Sequence, residues 1–130
     1  MKRILLIVIL SIFLCGFTSA SAEPACRVVT EVQVQYYDAT GTVLTRTYAQ
    51  DAHIRSVLNY LRMLHPSDPV IPEYPAHTDC KIILRYSSGP DSVFLQQNSA
   101  CLRRDNGPWE KIDPAQTQLL YPLLLLLPSD

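Results

Sequence analysis

Glycine is scarce in this chain, four residues in 130, and tryptophan occurs once. So few glycines leave little material for a loop that cradles phosphates by close backbone approach. There is no Gly-x-Ser-x-Gly elbow, so a serine nucleophile on a strand-to-helix turn is not expected. Metal-ligand spacing is missing as well: neither His-x-His nor Cys-x-x-Cys occurs. His53 and His65 are 12 residues apart on one predicted helix, about 120° apart in projection, and do not face one point. His77 stands beyond a proline-rich stretch, so no metal or cofactor site is expected. Charge of one sign is lacking too: 11 Lys and Arg stand against 12 Asp and Glu, a net charge of −1. Arg103-Arg104 is the only basic doublet after residue 22, which argues against a nucleic-acid partner.

What is present begins at the N-terminus. Lys2 and Arg3 precede an apolar run from Ile4 to Phe17, and Thr18-Ser19-Ala20-Ser21-Ala22 follows. A positive start, 14 apolar-rich positions and a small-x-small ending predict a secretory signal peptide cleaved between Ala22 and Glu23. The run is too short for an anchor, so no membrane span is expected after cleavage. Cys15 follows the bulky Leu14, which argues against lipid attachment there. The expected product, residues 23–130, is one small exported domain of 108 residues, secreted or periplasmic. It loses two basic residues and no acid, so its net charge becomes −3.

Three cysteines remain, Cys26, Cys80 and Cys101, in a compartment that permits disulfides. If Cys80 and Cys101 occupy strands separated by a third, their Cα atoms lie roughly 9–10 Å apart, out of bridging range. Any disulfide is then expected to join Cys26 to Cys80 or to Cys101.

From Val28 to Tyr36, apolar or β-branched residues alternate with Glu31, Gln33 and Gln35, the pattern of a half-buried strand. Asp38-Ala39-Thr40-Gly41 turns the chain, and Thr42 to Tyr48 returns antiparallel. Between Asp51 and His65, Ile54, Val57, Leu58, Leu61 and Leu64 form one helical stripe, with Asp51 placed to cap or charge its start. Four prolines between Pro66 and Pro75 impose an extended crossover. Strands are expected at 80–86, 92–97 and 100–104, with Trp109–Ile112 a short strand or an extended approach. Asp113-Pro114-Ala115-Gln116 starts a last helix, expected to kink or end at Pro122. The fold expected is α+β, two layers, an antiparallel sheet of four to five strands with two helices in the order ββα-βββα.

Leu119 to Leu127, interrupted by Tyr121-Pro122, is apolar all round. Such a run is buried on several sides or presents a patch to a partner. Most of it is expected to complete the core, with one or two leucines partly exposed. Trp109, Leu123, Leu124 and Leu127 are the candidate partner patch. Cys26 lies near a new terminus and Cys80 and Cys101 on strands, so structural roles are expected for them ahead of catalysis. The functional expectation is a small exported bacterial protein acting as a non-enzymatic protein-binding or envelope accessory module, its partner another exported or envelope protein. The alternatives are a small exported enzyme with a cysteine- or carboxylate-based site, or a carrier of a small apolar ligand. An apolar groove beside Leu123–Leu127 would favour the first.

Overall fold

Alternation, turns and one amphipathic stripe generate an antiparallel sheet with two helices on one face. The computed structural model describes residues 27–72 and 77–128. The elements run β1 (Val29–Tyr37), β2 (Val43–Tyr48), α1 (Asp51–Met63), β3 (Thr78–Tyr86), β4 (Ser92–Gln97), β5 (Cys101–Arg104), β6 (Trp109–Lys111) and α2 (Pro114–Leu125). The α+β class and antiparallel sheet are those expected. The sheet has six strands rather than four to five, in the order β2-β1-β3-β4-β5-β6. The extra strand is Trp109–Lys111, which pairs with β5.

Opposed residues share a face, so the register carries one set of side chains across the sheet. Val32, Val34 and Tyr36 of β1 stand opposite Leu84, Ile82 and Cys80 of β3. These residues meet Ile54, Val57, Tyr60, Leu61 and Leu64 to form the core between sheet and helices. Leu58, expected in the stripe, is only half-buried, and Tyr60 is buried instead. A β-bulge between Val29 and Glu31 shifts the first strand's alternation. Val28 and Thr30, read from periodicity as inward, are exposed, and Val29 packs on the core.

The connections follow local chemistry. The Asp38 carboxylate accepts from the Thr40 and Thr42 amides, each at 2.9 Å, and from the Thr40 hydroxyl at 2.7 Å. Gly41 supplies the positive φ of 85°. The Thr40 hydroxyl, ahead of the turn amides, holds the Asp38 carboxyl below its usual range. Gln50 is the N-cap of α1 with no side-chain cap bond, so Asp51 charges the first turn without capping it. His65 closes α1 in the left-handed region and Pro66 follows. The strap after it runs beside β6: the Ser67 and Val70 amides donate to Lys111 and Trp109 carbonyls, each at 2.9 Å.

Cys80 is opposite Gln96, and Cys101 is opposite the next residue, Gln97. Adjacent residues of a strand point to opposite faces, so the two cysteines lie on opposite faces of the sheet with β4 between their strands. Among the described residues both are free thiols. The leader, its cleavage site and Cys26 lie outside the described residues, and so do both pairings expected of Cys26.

Candidate functional site

From Leu119 onward helix α2 has no apolar stripe to bury, because that part of its sequence is apolar on every side, and polar contacts pin it instead. The Asp113 side chain accepts from the Ala115 amide at 3.0 Å, and Pro114 occupies the first turn, the start the sequence predicts. The fully buried Thr117 hydroxyl donates to the Asp113 carbonyl at 3.0 Å. Midway, the Tyr121 hydroxyl donates to the Asp79 carbonyl at 3.0 Å, and the Tyr36 hydroxyl to the Leu124 carbonyl at 3.1 Å. At the end, Arg46 Nη1 donates to the Leu125 and Leu127 carbonyls at 2.8 and 2.9 Å. The first is an orphan carbonyl of the helix C-terminus and the second lies just past the Leu126 cap, at the end where a cation is also favoured. The helix continues past Pro122 to Leu125. Proline deletes one ladder donor, and the Pro122 carbonyl still accepts from Leu126 at 3.1 Å.

Held in this way, α2 turns most of its leucines outward. Leu124 is 2% exposed, while Leu119, Leu123 and Leu126 are 72%, 62% and 77% exposed. Core completion, expected of most of the run, is confined to Leu124, with Leu120 and Leu127 half-buried. Between the helices lies a groove of about 250 Å³ with Leu120, Leu123, Leu124 and Leu127 on one wall. Ser56, Asn59, Tyr60 and Met63 of α1 form the other. Leu124 is its floor, and Leu123 and Met63 are its exposed rims. Its one titratable group is Tyr60, whose hydroxyl is pushed up by burial and donates to Gln96 Oε1.

Of the candidate patch, Leu123, Leu124 and Leu127 come together here. Trp109 does not: it is half-buried on β6, opposite Arg103, on the sheet face without helices. Arg103 lies 5.9 Å from its ring centroid. Sequence spacing could not anticipate this, since pleat parity through five strand pairings decides it. Met63 and Asn59 were missed because both lie off the core stripe of α1, which is the reason they are free to line a groove.

A second cluster surrounds Asp79, itself 8% exposed. Its Oδ2 accepts from Gln96 Nε2 at 3.0 Å and from the Ser99 amide at 2.8 Å, and His77 Nε2 is 3.9 Å from Oδ1. Asn98 and Ser99 both take positive φ in the turn that this carboxylate staples to β3. Cys80 is buried beside it, and burial, then the Asp79 charge, push its thiol up. Burial likewise raises the Cys101 thiol. A nucleophilic cysteine has the opposite surroundings, exposed and electropositive. The other histidines stand apart: His53 meets the Tyr48 ring edge-on at 5.6 Å, and His65 is exposed beyond α1. No three His, Cys, Asp or Glu side chains converge as a metal set among the described residues. None of the described helices is long and apolar enough to cross a membrane. No family model, curated protein or solved structure matches this chain.

Proposed function

We propose that this protein is a non-enzymatic exported module, secreted or periplasmic, that holds another exported or envelope protein in the groove between α1 and α2. The observation that carries this reading is the pairing of Leu123, 62% exposed, with Met63, 42% exposed, over a buried Leu124 floor. Two helices with an apolar furrow between them suit the apolar face of a partner helix, whose side chains enter as knobs. The groove's volume of about 250 Å³ is below the roughly 300–1,000 Å³ of small-molecule pockets. That favours inserted side chains over a free apolar ligand. The rims carry Ser56 and Asn59 and no charged group, so selectivity comes from shape and apolar area.

Photo-crosslinking in exporting cells tests this. A crosslinker at Leu123 is expected to trap one defined protein, while one at Lys81, on the open sheet face, traps none. Met63→Asp on the facing wall should abolish the adduct and weaken the purified complex by more than about tenfold, with the melting transition unchanged. No adduct, equal adducts at both positions, or an adduct indifferent to Met63→Asp would overturn the reading.

A further inference from the structure

Asp79 is a nearly buried carboxylate to which the fold brings no lysine or arginine. A register shift between Thr78 and Cys80 marks a β-bulge at the start of β3. Bulges re-aim side chains, and here two successive residues, Asp79 and Cys80, are both buried. Asp79 Oδ2 takes both hydrogen bonds, from the neutral Gln96 amide and the Ser99 N–H. Among the described residues Oδ1 receives none, since His77 Nε2 at 3.9 Å is out of range. An aspartate so deeply placed is ordinarily paired with a cation.

Asp79 lines a cleft of about 460 Å³ between the end of α2 and the β1–β2 turn. Its free oxygen is open to that cleft. Among the described residues the one side-chain polar atom sealed from solvent without a partner is Arg103 Nε. Asp38 lines the same cleft from the end of β1. Tyr36 opposes Cys80, so the residues beyond them, toward Asp38 and Asp79, stay adjacent across the two strands. Asp38 Oδ1 takes the three hydrogen bonds of the turn, which leaves its Oδ2 free as well. The remaining walls are apolar or aromatic. Leu44 and Leu125 are 52% and 43% exposed, and Tyr121 is tied by its hydroxyl to the Asp79 carbonyl. No lysine or arginine lines the cleft, and Arg46 is engaged by the α2 carbonyls.

Two carboxylates on apolar walls select among cations. A hard metal ion needs oxygen ligands on most sides, which leucines cannot give. An ammonium needs acceptors for its N–H groups and accepts an aromatic face beside it. The cleft, at about 460 Å³, falls within the roughly 300–1,000 Å³ of small-molecule sites. We infer that this cleft binds a small primary amine. The ammonium lies between the free oxygens of Asp79 and Asp38, and the apolar body rests on Leu44, Leu125 and the Tyr121 ring. The cleft shares no lining residue with the groove between α1 and α2, and its ligand is independent of any partner there.

Titration of the exported protein with phenethylamine, followed by amide NMR shifts, tests this. Phenethyl alcohol and phenylacetate carry a similar body with a neutral or an anionic head. Phenethylamine is expected to move the Thr42, Asp79 and Ser99 amides and to bind about tenfold tighter than the alcohol. Phenylacetate should not bind. Leu44→Lys, which sets an ammonium of the protein's own in the cleft at an exposed position, is expected to abolish binding with the melting transition unchanged. Asp38→Asn keeps the turn's acceptor, loses the charge, and should weaken binding severalfold. Leu123→Asp in the helix groove should bind as the parent does. No shift at millimolar phenethylamine, equal affinity for amine and alcohol, or binding indifferent to Leu44→Lys would overturn the inference. So would shifts centred on the groove amides.

Discussion

Arg46→Ala removes the clamp on the last turn of α2, and its cost follows from what Arg46 touches. The guanidinium makes two charge-assisted hydrogen bonds, to the Leu125 and Leu127 carbonyls, and lies 5.5 Å from the Tyr36 ring centroid. Buried hydrogen bonds to a charged group contribute about 1.5–3 kcal/mol, but Arg46 is only half-buried and the freed carbonyls can reach water. A loss of about 2 kcal/mol is therefore expected, or roughly 8–15 °C in Tm for a domain near 100 residues. Arg46→Met keeps the stem over Tyr36 and should recover part of the loss. Arg46→Lys keeps the charge but reaches one carbonyl at a time, and should fall between. Urea melts measure the loss. Hydrogen exchange locates the effect: the Leu126 and Leu127 amides, bonded to Pro122 and Leu124 carbonyls, should open well before the β3–β4 ladder. A cost below about 0.5 kcal/mol, with unchanged exchange in that turn, would refute the view that polar pins position α2.

The leucines should divide sharply on truncation: Leu124→Ala costs about 2–5 kcal/mol, while Leu123→Ala and Leu126→Ala stay within about 0.5 in chemical melts. Gln96→Leu strips a partner from the Tyr60 hydroxyl and from the Asp79 carboxylate; it should cost about 2–4 kcal/mol and exceed Tyr60→Phe in the same assay. Alkaline pH should destabilise the fold. Burial raises Cys80, Tyr36, Tyr60 and Tyr121 above ordinary values of 9.0 for the thiol and 10.0 for the phenols, so the unfolded chain loses these protons first. Stability is then complete below pH 9 and falls above it, by at most about 1.4 kcal/mol per pH unit for the Cys80 thiol; a flat profile of melts between pH 8 and 11 would contradict this. N-terminal sequencing of exported protein should read Glu23 first, and a start at Met1 or at a lipid-bearing Cys15 would refute the leader assignment.

Much of the fold could be read from local chemistry. The β1–β2 turn, the α1 stripe, the Asp113-Pro114 start and the meander from β3 to β5 all depend on residues within a few positions of one another, so periodicity and capping rules reach them. The misreadings share a cause. The bulge at Val29–Glu31 inverts a periodicity that only pairing with β3 reveals. Pro122 marks a kink or an end in the sequence, and the ending does not occur; the polar partners of the carbonyls around it come from β1 and β2, more than 70 residues earlier in the chain. The leucine run carries no directional signal, since an all-apolar helix has no preferred face. Which leucine becomes floor and which rim was decided by Arg46, Tyr36 and Tyr121 fixing the helix's rotation. Trp109 was likewise assigned its side by pleat parity handed across the sheet. The elements were legible because hydrogen bonding and side-chain period are local. The groove was not, because it is made by what packing two distant helices leaves uncovered.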